Sequence, residues 1–146
     1  ALKLGIQSDL PIKIKKETKP HYDVAVGIIW DKKKLLITKR KEEGLLGGLW
    51  EFPGGKIKKN EKIESAIKRE IKEELSINIK PETIIHQVDH HYSHFSVTIN
   101  AINCKYNGGD IKLSGPTDFK WIHTSKLRSY AFPKASIKLF NAIKNL

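Results

Sequence analysis

The chain has 146 residues and 39% hydrophobic content, enough for one globular domain with a real core. No run of about 18 apolar residues exists, and the N-terminus lacks a basic-then-apolar signal, so no membrane span is expected and a cytoplasmic address is the default. Lys+Arg 27 against Asp+Glu 16 gives a net charge of +11, which suits a polyanionic partner, nucleic acid or nucleotide, although a solvated lysine-rich surface has the same composition.

Residues 1–20 differ from the rest. The stretch Asp9-Leu10-Pro11-Ile12-Lys13-Ile14-Lys15-Lys16 is basic and broken by proline. It reads as an extended interdomain linker ahead of a compact domain, 21–146, and suggests a chain cut from something longer. Val24 to Trp30 and Leu35 to Thr38 are apolar runs joined by Asp31-Lys32-Lys33-Lys34, which predicts a hairpin. Gly44-Leu45-Leu46-Gly47-Gly48 is a loop with unusual apolar content. Leu49 to Phe52 is a short strand stopped by Pro53-Gly54-Gly55. Ile63, Ile67, Ile71 and Leu75 recur every fourth residue, so Lys62 to Leu75 is a helix.

Strands are expected at Thr83 to Val88, Ser96 to Tyr106 and Phe119 to His123, with Asn107-Gly108-Gly109-Asp110 as a turn. Between the first two, His90 to His94 read as one exposed polar and aromatic turn. Thr124 caps a helical turn through Arg128. A last helix, Lys134 to Lys144, presents Ile137, Phe140 and Ile143. Trp30 and Trp121 sit in apolar strand contexts and read as core. Cys104 stands alone, so it forms no internal disulfide and reads as a small core residue. Mixed strands with two or three helices indicate an α/β or α+β sandwich.

The stretch that carries chemistry is Gly55-x5-Glu61-x7-Arg69-Glu70-Ile71-x-Glu73-Glu74-x-Ser76-Ile77. Glu70, Glu73 and Glu74 stand at i, i+3 and i+4, so they share a helix face beside the apolar stripe. Clustered carboxylates repel one another, and Mg2+ or Mn2+ relieves that repulsion while bridging to phosphate and activating a water. Arg69 is placed to orient a neighbouring glutamate. Gly54 lets the backbone approach a ligand and offers its carbonyl to the metal.

This spacing resembles the Nudix box, G-x5-E-x7-R-E-U-x-E-E-x-G-U with U apolar, and departs from it only at Ser76. The resemblance implies the Nudix fold, a mixed β-sheet sandwiched between α-helices. It also implies Arg69, Glu70, Glu73 and Glu74 as the catalytic group. Glu70 and Glu74 would be the principal metal ligands, with Glu73 supporting or binding. Ser76 replaces a helix-ending glycine and removes no ligand.

Two Nudix relatives fit the remaining segments. Leu49 to Ile57 resembles the MutT group, which hydrolyses oxidised purine nucleoside triphosphates such as 8-oxo-dGTP. By that resemblance Phe52 lies near a bound base, Lys56 belongs to the nucleotide site, and Ser136, after Phe132-Pro133-Lys134-Ala135, stands where an asparagine reads the base. The fuller resemblance is to the C-terminal domain of the MutY adenine DNA glycosylases, carried by Leu10 to Lys16, Gly44 to Pro53, Tyr92-Ser93-His94 and Tyr130 to Ala135. It implies recognition of 8-oxoguanine in DNA through Tyr92, Ser93 and His94, beside an N-terminal glycosylase domain. The leading expectation is that DNA-repair role. The alternative is a Mg2+-dependent MutT-like pyrophosphohydrolase.

Overall fold

A computed structural model describes residues 19–44 and 46–146. The proposed linker, including Lys13, Lys15 and Lys16, falls almost wholly outside the described residues, as does Leu45.

Strand β1, His21–Asp31, turns through Lys32 and Lys33 into β2, Lys34–Lys39, as the apolar runs predict. Lys32 takes a positive φ of 60° to make the tight turn. The two strands pair only near that turn, at Trp30↔Leu35 and Asp31↔Lys34. Beyond it they separate, and other strands fill the edges. β4, Gly54–Lys56, pairs antiparallel with β1 over Val24 to Val26. β3, Trp50–Glu51, pairs with the far end of β2 at Thr38 and Lys39. This splay sets Glu51 and the glycine turn at the opening between the two strands.

Helix α1, Ile63–Leu75, begins one residue later than the spacing predicts and buries Ala66, Ile67, Ile71 and Leu75. It ends at Ser76, which is left-handed with φ 61°, and whose N–H donates to the Lys72 carbonyl at 3.1 Å. The serine therefore takes the backbone shape that glycine adopts without a Cβ penalty.

The long strand β5, Ile79–His91, extends well past both ends of the expected Thr83–Val88 segment. Its pairing with β6, Ser96–Tyr106, slips between Pro81 and His86. Proline lacks the N–H needed for a regular ladder there. His90 and His91 lie on this strand, paired with Val97 and Ser96, rather than in a loop.

β6 runs parallel to β1 from His21↔Ser96 to Trp30↔Lys105. β7, Asp118–Ile122, covers the outer edge of β2. The seven strands form one mixed sheet, ordered β3-β2-β1-β6-β5, with β4 on β1 and β7 on β2.

The period of two divides the core between the sheet's faces. Ile29, Leu36, Ile102 and Cys104 pack with Ile67, Ile71 and Leu75 of α1. Ile28, Leu35, Ile37, Ile99 and Ala101 pack on the opposite face with Phe132, Leu139, Phe140 and Ile143. Each fully buried Ile or Leu contributes about 1.5–3 kcal/mol of transfer free energy. The expected sandwich of a mixed sheet between helices is what forms.

Four local expectations are corrected. The 3-10 segment Thr124–Ser129 is capped by His123, whose side chain accepts from the Ser125 N–H, and not by Thr124. The last helix is two short helices, α2 (Lys134–Ile137) and α3 (Phe140–Lys144). The buried stripe there is Ala135, Leu139, Phe140 and Ile143, so Ile137 is left 37% exposed. Trp30 and Trp121 are half-buried rather than core. The Trp30 indole donates to Asn103 Oδ1 at 2.7 Å, and Trp121 meets Tyr106 edge-on at 5.6 Å.

Candidate active site

Helix α1 carries the charged group. Arg69 is its organiser: Nε and Nη2 donate to the two oxygens of Glu61 at 2.8 and 2.9 Å. Nη1 donates to Glu70 Oε2 at 2.8 Å and to Glu73 Oε1 at 3.1 Å. Nη2 also donates to the Lys56 carbonyl at 3.1 Å, which ties the helix to β4. A planar guanidinium can hold several oxygens in fixed directions, where a lysine ammonium cannot. The Arg69 hydrogen bond, followed by the Lys58 backbone N–H, holds the Glu61 carboxyl down at about 2.

The three helix glutamates divide. Glu70 is only 16% exposed in its side chain and lies against Gly55. A Cβ on Gly55 would occupy the space of the Glu70 carboxylate, so any larger residue there would push that carboxylate out of place. Gly54 is packed equally tightly against the Ala25 carbonyl of β1. Glu74 is turned inward, and its Oε1 is buried without a hydrogen-bond partner. Burial first, then the charges of Glu51 and Glu70, push its carboxyl up to about 8. Glu73, in contrast, keeps 59% of its side chain exposed and leans on Arg69.

Glu51 completes the carboxylate group and was not among the residues expected from sequence. It reaches the site from β3, and Arg40 Nη1 donates to its Oε1 at 2.9 Å. Burial raises its pKa, and the Arg40 charge opposes that rise. The signal was weak: an arginine and a glutamate eleven positions apart meet only because β2 and β3 pair.

Glu51 and Glu74 line a cleft of about 380 Å³, within the usual range of about 300–1,000 Å³ for small-molecule sites. Val24 and Val26 of β1, and Val97 and Ile99 of β6, adjacent in the sheet, give it an apolar wall. Tyr92 and Phe95, stacked at 4.6 Å, line it as well. Pro133, Ala135 and Ser136 complete the lining. Tyr22, another residue the sequence did not single out, lies beneath the Lys56 ammonium, 4.1 Å from the ring centroid.

Of the expected binding residues, Phe52, Lys56, Tyr92 and Ser136 line this cleft with Gly54 and Glu74. Phe52 is 2% exposed and packs on Phe132 at 5.1 Å, so it is also a core residue. Ser93 and His94 lie outside the lining, exposed in the tight turn that the Tyr92 N–H closes onto the Phe95 carbonyl at 2.7 Å. Tyr92 is half-buried rather than free to wedge into a helix of DNA. Burial, with Lys138 and Lys134, lowers the His90 pKa and disfavours a positive charge there.

Among the described residues, no three His, Cys, Asp or Glu side chains form a ready-made metal cage. The donors still suit Mg2+ or Mn2+. Such ions commonly take one or two carboxylates, keep waters and complete their shell with substrate phosphate. A buried, unpartnered carboxylate oxygen beside two more carboxylates is the chemistry such an ion satisfies.

The NUDIX domain family matches residues 25–142. The 8-oxo-dGTP diphosphatase of Buchnera aphidicola subsp. Schizaphis graminum (strain Sg) is 28% identical, over 85% of this chain and 94% of that protein. The 8-oxo-dGTP diphosphatase of Buchnera aphidicola subsp. Acyrthosiphon pisum (strain APS) is 33% identical, over 77% of this chain and 89% of that protein. The MutT protein from Methanosarcina mazei Go1 superposes with a TM-score of 0.79 at 25% identity, over 87% of this chain and 95% of that one.

These matches overturn the expectation of a DNA-glycosylase recognition domain and favour the pyrophosphohydrolase alternative. The chain aligns along most of the length of diphosphatases, and two of the three proposed lesion contacts, Ser93 and His94, stand apart from the cleft. No helix among the described residues is long and apolar enough to cross a membrane.

Proposed function

The chain belongs to the NUDIX domain family, and from that premise we propose that it is a Mg2+- or Mn2+-dependent pyrophosphohydrolase of oxidised purine nucleoside triphosphates, such as 8-oxo-dGTP. The observation that carries this reading is the buried, unpartnered Glu74 oxygen beside Glu51 and Glu70, on a residue that lines a largely apolar cleft. A cleft with this lining suits a flat base. The carboxylates that line it suit a metal-bound triphosphate. The similarity to proteins named 8-oxo-dGTP diphosphatase supports the choice of substrate class.

The reaction adds water across one phosphoanhydride link and releases a nucleoside monophosphate and pyrophosphate. The base lies on the apolar wall that β1 and β6 form together, with Tyr92, Phe95 and Ser136 around it. Ser136 supplies one hydroxyl for a polar edge. Lys56 at the cleft offsets phosphate charge. Glu70 and Glu74 would hold the metal, with the Gly54 carbonyl as a further oxygen donor. When bound, the ion neutralises phosphate charge and lowers the pKa of a water. Arg69 keeps Glu70 and Glu73 aimed by its hydrogen bonds. As a ligand Glu74 would be ionised, so metal binding would release its proton.

Steady-state turnover of 8-oxo-dGTP, dGTP and CTP with Mg2+ tests this. The expected result is pyrophosphate release, fastest with the oxidised purine and at least about 100-fold slower in Glu70→Gln. Absence of turnover on all three, with Mg2+ and with Mn2+, would refute the reading.

A further inference from the structure

Lysine is a poor fixed charge. Its four-carbon stem rotates freely, and rotamer entropy opposes holding it in one place. Lys56 nonetheless stands where a fixed cation matters, lining the same cleft as the apolar wall and the Glu51 and Glu74 carboxylates.

Its backbone is secured three ways. Lys56 pairs with Val24 in the sheet, the next residue's N–H donates to the Asp23 carbonyl at 2.9 Å, and Arg69 grips the Lys56 carbonyl at 3.1 Å. The side chain makes none of these contacts. What meets the ammonium is the face of Tyr22, 4.1 Å from nitrogen to ring centroid. That ring is half-buried and tilts against Phe95 at 5.9 Å, so it cannot swing away freely.

We infer that Tyr22 is a positioning residue that holds the Lys56 ammonium in the cleft, where it engages a phosphate of the bound nucleotide. The inference rests on the hydrolase reading above. A cation over an aromatic face is attracted by the ring quadrupole. The attraction survives in a half-exposed setting, and it leaves the outward side of the ammonium able to donate to oxygen. Tyr22 needs no hydroxyl for this role, only a ring.

The test is a kinetic double-mutant cycle with 8-oxo-dGTP. Tyr22→Leu is expected to raise KM by about 2–5-fold, the range of one exposed cation–π contact, with kcat within about twofold. Tyr22→Phe restores the wild-type KM. In a Lys56→Gln background, Tyr22→Leu adds nothing further. Should Tyr22→Leu raise KM equally with and without Lys56, Tyr22 acts by touching the base and the inference fails.

A wild-type protein that turns over nucleotide while all Tyr22 variants match it also overturns the inference, but leaves the hydrolase reading standing. A wild-type protein with no turnover removes both. If Tyr22→Leu does not fold, proton NMR of the wild type decides. The Lys56 ε-methylene protons are expected upfield of the other lysines under the ring current. Unshifted signals overturn the placement.

Discussion

Replacing Glu74 by glutamine separates what the site does for stability from what it does for catalysis. In the metal-free fold the Glu74 carboxyl is pushed up to about 8 by burial and by Glu51 and Glu70, against an ordinary 4.5. A carboxyl whose folded pKa is raised favours the fold fully only below the unfolded pKa. That advantage is lost as pH rises from about 4.5 to about 8. At pH 7 the folded state keeps the proton that the unfolded chain has released, which costs it roughly 3 kcal/mol. Glutamine is neutral at every pH and similar in shape, so it escapes this cost.

The variant without metal should therefore be more stable than wild type at pH 7–8 by roughly 2–3 kcal/mol, or about 4–12 °C in Tm for a chain of this size. At pH 4.5 the two should converge. Mg2+ should raise the wild-type Tm and raise that of the variant much less, because the ligand binds only the folded state through a carboxylate the variant lacks. Pyrophosphate release should fall at least about 100-fold. The assay is thermal unfolding from pH 4.5 to 8.5, in EDTA and in Mg2+, alongside turnover. An identical pH dependence of Tm in both proteins would refute the argument that Glu74 is a buried, unpaired acid.

Gly55→Ala should fold but lose at least about tenfold in turnover, because the new methyl displaces the Glu70 carboxylate; circular dichroism and kinetics check it together. Ser76→Gly should raise stability by about 1 kcal/mol in denaturant titration, with turnover unchanged, since it relieves a left-handed residue at the end of α1 and touches no substrate group. The Cys104 thiol, pushed up to about 12 by burial and by Glu82, should resist thiol reagents in the native protein and react once denaturant is added.

The parts of this molecule written in local periodicity were legible. Isoleucines spaced by four gave α1, and the Gly54-Gly55 turn before it located Glu70 and Glu74 near a backbone that approaches them closely. The helix wheel could not separate Glu73 from its neighbours, because Arg69 draws that side chain outward. Contacts made by strand pairing were not legible. Arg40 and Glu51 meet through the β2–β3 register, and Tyr22 and Lys56 through the β1–β4 register. Short motifs also misled. Tyr92-Ser93-His94 looked like one recognition loop, yet the sheet continues through His91 and the hairpin sends Tyr92 inward and Ser93 outward. At the C-terminus, Ile137 looked like a core residue, but the chain turns at Lys138 and seats Leu139 instead.

Phosphorus NMR of the protein incubated with 8-oxo-dGTP and Mg2+ tests the central claim most directly, because it identifies which phosphoanhydride link breaks. The expected spectrum shows a growing pyrophosphate signal matched one-to-one by a nucleoside monophosphate. Inorganic phosphate with a nucleoside diphosphate, or an unchanged triphosphate spectrum, would contradict it.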